Sequence, residues 1–180
     1  MSQLPLFRSR DPAMRLHKIT SIVLAATLLA GAAAEAAPVS PNAQARDYPA
    51  PLYKGALHQP DFKGRDRGFA SYRTRLRDGI KAGPNFAGHM ALIVFGCGTG
   101  CKGALVADVR TGKVTSFPLG GEENLYLYLA YDKASNLVTA DWVKDNRCLE
   151  QKLVWDGSGF TSSTTTDIGD QAVCDKLWEK

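Results

Sequence analysis

The stretch GHMALIVFGCGTGCKGALVADVRTGKV, residues 88–114, decides the fold. Gly88 to Phe95 is strongly apolar and alternates as a strand does. Ala104 to Val109 repeats the pattern. Arg110-Thr111-Gly112-Lys113 then has the chemistry of a hairpin turn leading into a third strand, Val114 to Phe117. Beyond it, Leu125, Leu127 and Leu129 alternate with Tyr126 and Tyr128, and Asp132 to Asn136 forms a polar turn. Leu137 to Val143 places Val138, Ala140 and Trp142 on one side. Leu149 to Trp155 follows, then the turn Asp156-Gly157-Ser158-Gly159 and a last strand from Phe160 to Thr166.

Working back from residue 88, Gly83-Pro84 ends a helix predicted from Asp66 to Lys81. Phe69, Tyr72, Leu76 and Ile80 recur on one face of it, and Asp66 stands where a capping carboxylate belongs. Arg65, Arg67, Arg73, Arg75, Arg77 and Lys81 occupy its other sides. The plain reading is a solvated face with packed stems; the sharper one is a basic patch for an anionic partner. The predicted fold is mainly β with one α-helix: an antiparallel β-meander forming a curved sheet or half barrel, stapled by disulfides, with the helix plugging one side. The strand spacing also suits propeller blades, but the chain is too short for a complete propeller. Residues 37–64, broken by Pro38, Pro41, Pro49, Pro51 and Pro60, are an irregular lead-in, loose at first and docked near Leu52-Tyr53. Residues 65–180 are a single β-rich domain.

Residues 1–36 read as a signal peptide. Arg15 and Lys18 precede an uncharged apolar run from Ile19 to Ala30, and Ala34-Glu35-Ala36 fits a small-x-small cleavage site, making Ala37 the first mature residue. A membrane anchor needs roughly 20 apolar residues, more than this core supplies. Arg8, Arg10 and Asp11 make the region before Met14 unusually long and polar; either the n-region is extended or Met14 is the start. The leader carries four of the 22 bases and two of the 18 acids, so the remainder holds 18 bases against 16 acids, a balance of +2. Nucleic acid is therefore not an expected partner, and no membrane span is expected after cleavage. The expected location is periplasmic or secreted.

The four cysteines, Cys97, Cys101, Cys148 and Cys174, read as two disulfides in an oxidising compartment. Glycines in Gly98-Thr99-Gly100 let a short loop fold back, which favours Cys97–Cys101 and Cys148–Cys174. Cross-pairing of Cys97 or Cys101 with Cys148 is the competing pattern. The spacings suit zinc poorly, and no metal or cofactor is expected.

Gly83-Pro84-Asn85-Phe86-Ala87-Gly88-His89, the loop Gly96-Cys97-Gly98-Thr99-Gly100-Cys101 and the hairpin Asp108, Thr111, Gly112, Lys113, Val114 together resemble a group of small secreted bacterial proteins. The resemblance covers roughly Tyr72 to Val114, with weaker echoes to Trp155. It implies export and a shared fold, and it supplies no activity.

No nucleophile elbow, zinc-binding helix, Walker loop or Cys-x-x-Cys redox motif occurs in the chain. His89 begins a strand, where a histidine is more often structural than catalytic. A catalytic reading pairs it with Asp108, Asp141, Glu122 or Glu123. Trp142, Trp155 and Trp178, with Tyr126, Tyr128 and Tyr131, are either core or a peptide- or glycan-binding face, and Tyr126 and Tyr128 are the best surface candidates. The binding candidates are Asn85, His89, Thr99, Tyr126 and Tyr128. The leading expectation is an exported, non-catalytic cell-envelope binding protein of the inhibitor or immunity type, presenting the disulfide-constrained loop to an envelope protein or glycan. The alternative is a small envelope hydrolase using His89 with a nearby carboxylate.

Overall fold

The computed structural model describes residues 38–179; the signal-peptide reading over residues 1–36 lies outside them. The apolar alternation produces eight strands: β1 (Met90–Gly96), β2 (Lys102–Asp108), β3 (Val114–Ser116), β4 (Leu125–Tyr131), β5 (Leu137–Lys144), β6 (Arg147–Trp155), β7 (Phe160–Ser162) and β8 (Thr166–Asp170). Helix α1 spans Arg73–Lys81 and helix α2 spans Gln171–Trp178. All strand pairs are antiparallel, and the protein is mainly β.

The meander does not run on as one curved sheet. It divides into an open sheet β1-β2-β3 and a second open sheet β4-β5-β6-β7, in which β8 also pairs with β6. The break falls at Pro118–Gly121, where Gly120 (φ 136°) and Gly121 (φ 72°) carry the chain out of the first sheet after a last bridge, Gly121 N–H to Lys102 O (2.8 Å). Each sheet then has a partner for its apolar face. Met90, Leu92, Ala104 and Val106 of the first sheet pack against Leu127, Val138, Ala140, Trp142 and Leu153 of the second. The opposite face of the first sheet, with Ala91, Leu105 and Ala107, takes Leu76 and Ile80 of α1, both fully buried, together with Phe69 and Tyr72.

The helical segment from Arg67 to Lys81 begins as a 3-10 helix over Arg67–Tyr72, and Asp66, at its N-cap position, makes no side-chain cap bond to it. The Asp66 carboxylate is buried and turned to other work: it accepts from the backbone N–H of Asp61 (2.9 Å) and of Val114 (3.1 Å) and from the Arg65 guanidinium (2.8 Å). Burial alone raises its carboxyl, but the hydrogen bonds from Arg65, Val114 and Asp61 outweigh burial and hold it below the usual carboxylate range.

Residues 38–64 are irregular apart from a 3-10 turn at Ala45–Asp47. Their first part is not loose: Val39 and Ala43 are buried against Leu137. The segment then runs along the body through Ala50 N–H to Ala134 O (2.7 Å), Tyr53 N–H to Gly88 O (2.9 Å) and His58 N–H to Val109 O (2.8 Å).

Cys97–Cys101 and Cys148–Cys174 are both bridged, and the described residues hold no free cysteine. Chain entropy puts the small loop at about 2 kcal/mol and the larger at about 3.5 kcal/mol. The larger bridge fastens α2, which the amino-acid pattern did not announce, over Val143 and Cys148 on the outer face of the second sheet.

Asp66→Ala is expected to cost about 2–4 kcal/mol, because it strands two backbone donors at a buried site. Arg65→Ala, whose side chain is half exposed, is expected to cost under about 1 kcal/mol. Urea denaturation measures both; equal losses would contradict the bridging role of Asp66.

Candidate functional site

Two regions bring the predicted residues together. The first is the loop between β1 and β2. Besides the disulfide (Cα–Cα 5.1 Å), Cys97 N–H donates to Cys101 O (3.0 Å) and Cys101 N–H to Gly98 O (3.2 Å). Gly98 and Thr99 are exposed at the tip, and Gly100 is half buried with φ 70°. Glycine suits position 100 because its φ is left-handed, and a Cβ there would lie 3.0 Å from the Tyr126 ring, a tight contact. Its carbonyl accepts the Tyr126 N–H at 2.6 Å. Tyr126 itself sits at φ 57° in an irregular stretch of β4 and stacks on Trp178 of α2, ring centroids 5.8 Å apart. Thr99, Tyr126 and Trp178 therefore belong to one local structure, assembled from the loop, a strand and the C-terminal helix.

The second region is a cleft of about 490 Å³ lined by Leu52, Tyr53, His89, Arg110, Asn136 and Trp155, among others. His89 is half buried at the start of β1. Burial, then the Arg110 guanidinium, push its imidazole below the ordinary histidine range, with Asp108 opposing. Asp108 ends β2, and its oxygens are engaged by Arg110: Nε to Oδ1 at 3.1 Å, Nη2 to Oδ2 at 3.0 Å, and the backbone N–H to Oδ1 at 2.8 Å. Burial raises the Asp108 carboxyl, but the bonds from Arg110 win and hold it low. Asp108 thus acts on His89 through its charge, while its hydrogen-bonding capacity goes to closing the 108–113 turn. Arg110 is the residue the sequence reading passed over here. Its signal was the Asp-x-Arg spacing at a strand end, which lets a carboxylate collect both turn N–H and guanidinium.

The other candidates, Trp155 excepted, lie apart from these regions. The Asn85 side chain accepts from Leu92 N–H (2.7 Å) and donates to Leu92 O (3.0 Å), so its amide extends the edge of β1. Tyr128 is half buried in β4, in register with Asp141. Glu122 and Glu123 are exposed in the 3-10 turn Glu122–Asn124. Trp142 is core, Trp155 is core with an edge in the cleft, and Tyr131 packs edge-on to Phe86. Among the described residues no group of three or more His, Cys, Asp or Glu side chains gathers as metal ligands.

Asp141 faces away from the core, in register with Glu150 of β6, and lies only 3% exposed with its Oδ1 unpartnered. Burial, reinforced by Glu150 and opposed by Lys152, pushes its carboxyl up to about 6.

No family model matches this chain, and no curated protein or solved structure matches it.

The raised Asp141 carboxyl has a stability consequence. The folded chain takes up this proton more readily than the unfolded chain, where the group titrates near ~3.9. Stability is therefore lost as pH rises from about 4 through about 6, and the penalty persists at neutral pH. Asp141→Asn is expected to stabilise the protein by about 1–3 kcal/mol at neutral pH and to leave it nearly unchanged near pH ~4. Thermal melts at the two pH values measure the difference; a loss of stability at neutral pH would contradict it.

Proposed function

We propose that this chain is an exported binding protein of the cell envelope, periplasmic or secreted, which engages its partner through the Cys97–Cys101 loop and the aromatic pair behind it. The observation that carries this reading is the double fixing of the loop. A disulfide closes its base, the Tyr126 N–H holds Gly100 O at 2.6 Å, and Gly98 and Thr99 remain exposed. A loop ordered before binding loses little further conformational entropy on association, the property that lets a small rigid tip enter a cleft in an inhibitor or immunity-type complex. Tyr126, 41% exposed and stacked on Trp178, supplies amphipathic area beside the tip for an envelope protein or a glycan. Export is supported by the signal-like leader and by two disulfides, which persist in oxidising compartments. Among the described residues no helix is long and apolar enough to cross a membrane. The likeness of residues 72–114 to small secreted bacterial proteins points the same way.

The alternative, a hydrolase, has one observation in its favour: half-buried His89 lines a cleft beside Asp108. Against it stands the occupation of both Asp108 oxygens by Arg110, which leaves the imidazole without an orienting carboxylate bond.

Thr99→Lys and Tyr126→Ala, with circular dichroism unchanged, are each expected to weaken capture of the partner from envelope extracts by roughly tenfold or more. His89→Asn is expected to leave capture intact. Capture that depends on His89 and ignores both loop variants would overturn the reading.

A further inference from the structure

The first sheet leaves part of one edge open. In β2, Ala104 O accepts from Phe117 N–H (3.1 Å) and Asp108 N–H donates to Lys113 O (2.9 Å), so Ala104 and Asp108 turn toward β3. Gly103, Leu105 and Ala107 then turn toward β1 and bond to Phe95, Ile93 and Ala91, their register partners. The backbone groups of Met90, Leu92, Val94 and Gly96 consequently point outward. Two of these four are covered. Met90 N–H donates to Phe86 O (2.9 Å), and Met90 O accepts from Asn85 and Phe86 N–H (both 3.0 Å). Leu92 is bracketed by the Asn85 side chain. Val94 and Gly96 have no second strand: β1 pairs only with β2, and no other hydrogen bond reaches them among the described residues. The chain thus closes its own edge up to Leu92 and leaves open the part that runs into the disulfide loop.

Two cations stand beside the open part. Lys102, in register with Gly96, is, among the described residues, the only charged one lining the hollow of about 370 Å³ formed with Val94, Phe95 and the loop. The Arg75 guanidinium lies over the Phe95 ring, 5.7 Å from its centroid. Residues 67–81 carry Arg67, Arg73, Arg75, Arg77 and Lys81 against Asp78 alone. Val94 adds an apolar contact, 41% exposed.

We propose that the Val94–Gly96 edge of β1 receives an extended acidic segment of the binding partner as an added strand, an assignment that rests on reading the adjoining loop as the binding surface. Main-chain bonds at alternate residues supply affinity in this mode, and flanking side chains supply selection. Here Lys102, on the face shared with Val94, and Arg75, over Phe95 on the opposite face, select carboxylates at alternate positions of the added strand. A second copy of the chain fits less well, because edge-to-edge pairing would bring these same cations together.

The test uses a synthetic hexapeptide of alternating Glu and Val, the same peptide N-methylated at every residue, and a Lys/Val counterpart. Backbone amide exchange and chemical shifts of the full protein are read by NMR. The acidic peptide is expected to slow exchange at Val94 and Gly96 by about tenfold or more, and the other two peptides to leave both amides unchanged. Val94→Pro removes an outward N–H that no ladder bond uses, a substitution edge strands tolerate. It is expected to weaken the acidic peptide about fivefold, the equivalent of one hydrogen bond. Equal binding of the N-methylated or Lys peptide, indifference to Val94→Pro, or no shift at millimolar peptide would overturn the proposal, as would a dimer abolished by Val94→Pro. Shifts confined to Thr99 and Tyr126 would overturn the edge while leaving the loop reading standing. Protection of Val94 and Gly96, with envelope capture indifferent to Thr99→Lys and Tyr126→Ala, would sustain the edge and remove the loop reading.

Discussion

Between helix α1 and strand β1 the chain passes through two consecutive left-handed residues, Ala87 (φ 47°) and Gly88 (φ 74°), and two separate parts of the molecule fasten to that turn. Ala87 N–H donates to Ser135 O (3.1 Å), Gly88 N–H to Lys133 O (2.6 Å), and Gly88 O accepts from Tyr53 N–H (2.9 Å). The first two bonds tie β1 to the β4–β5 connection, joining the two sheets; the third holds the lead-in. A Cβ at position 88 would collide with the Pro51 carbonyl, so glycine is needed for the approach as well as for its φ. The neighbouring Phe86 is fully buried and stacks on Phe160 at 6.0 Å, within the core shared by both sheets. A left-handed alanine costs about 1–2 kcal/mol, a strain the surrounding bonds offset.

How far the amino-acid pattern discloses this arrangement depends on the range of the forces involved. The strands of 88–117 were legible because alternation is a local signal, and Leu76 and Ile80 sit where helical spacing puts them. The division into two sheets was not, since it depends on a core assembled from distant strands. Helix α2 escaped notice because eight residues are too few to hold a helix unaided; Cys174, bonded to Cys148, fixes it in place. Asp66 has the spacing of a cap, yet its carboxylate reaches Val114, 48 residues away in sequence. The Tyr126–Trp178 stack likewise joins parts of the chain whose proximity no local pattern encodes.

The same contrast runs through the candidate site. Thr99 and the cysteines were visible as a glycine-rich loop, but the second fixing of the loop, by the Tyr126 N–H, was not, and the open edge beside it follows from strand phase and from Asn85 covering Leu92. On the proposed reading, the binding surface lies where the first sheet is left unfinished, beside the disulfide-closed loop. His89 serves a different end of β1: its carbonyl accepts from Val109 N–H (2.9 Å), and its ring borders the cleft where the lead-in crosses the hairpin.

If the turn at Ala87–Gly88 joins the sheets as described, its two amides can exchange with solvent only when the whole body opens. Native-state hydrogen exchange of Ala87 and Gly88 tests this directly. The account predicts opening free energies equal to that of global unfolding, alongside core strand amides such as Val106 and Ala140. Exchange of Ala87 and Gly88 at the rate of the exposed Gly98 and Thr99 amides would contradict it.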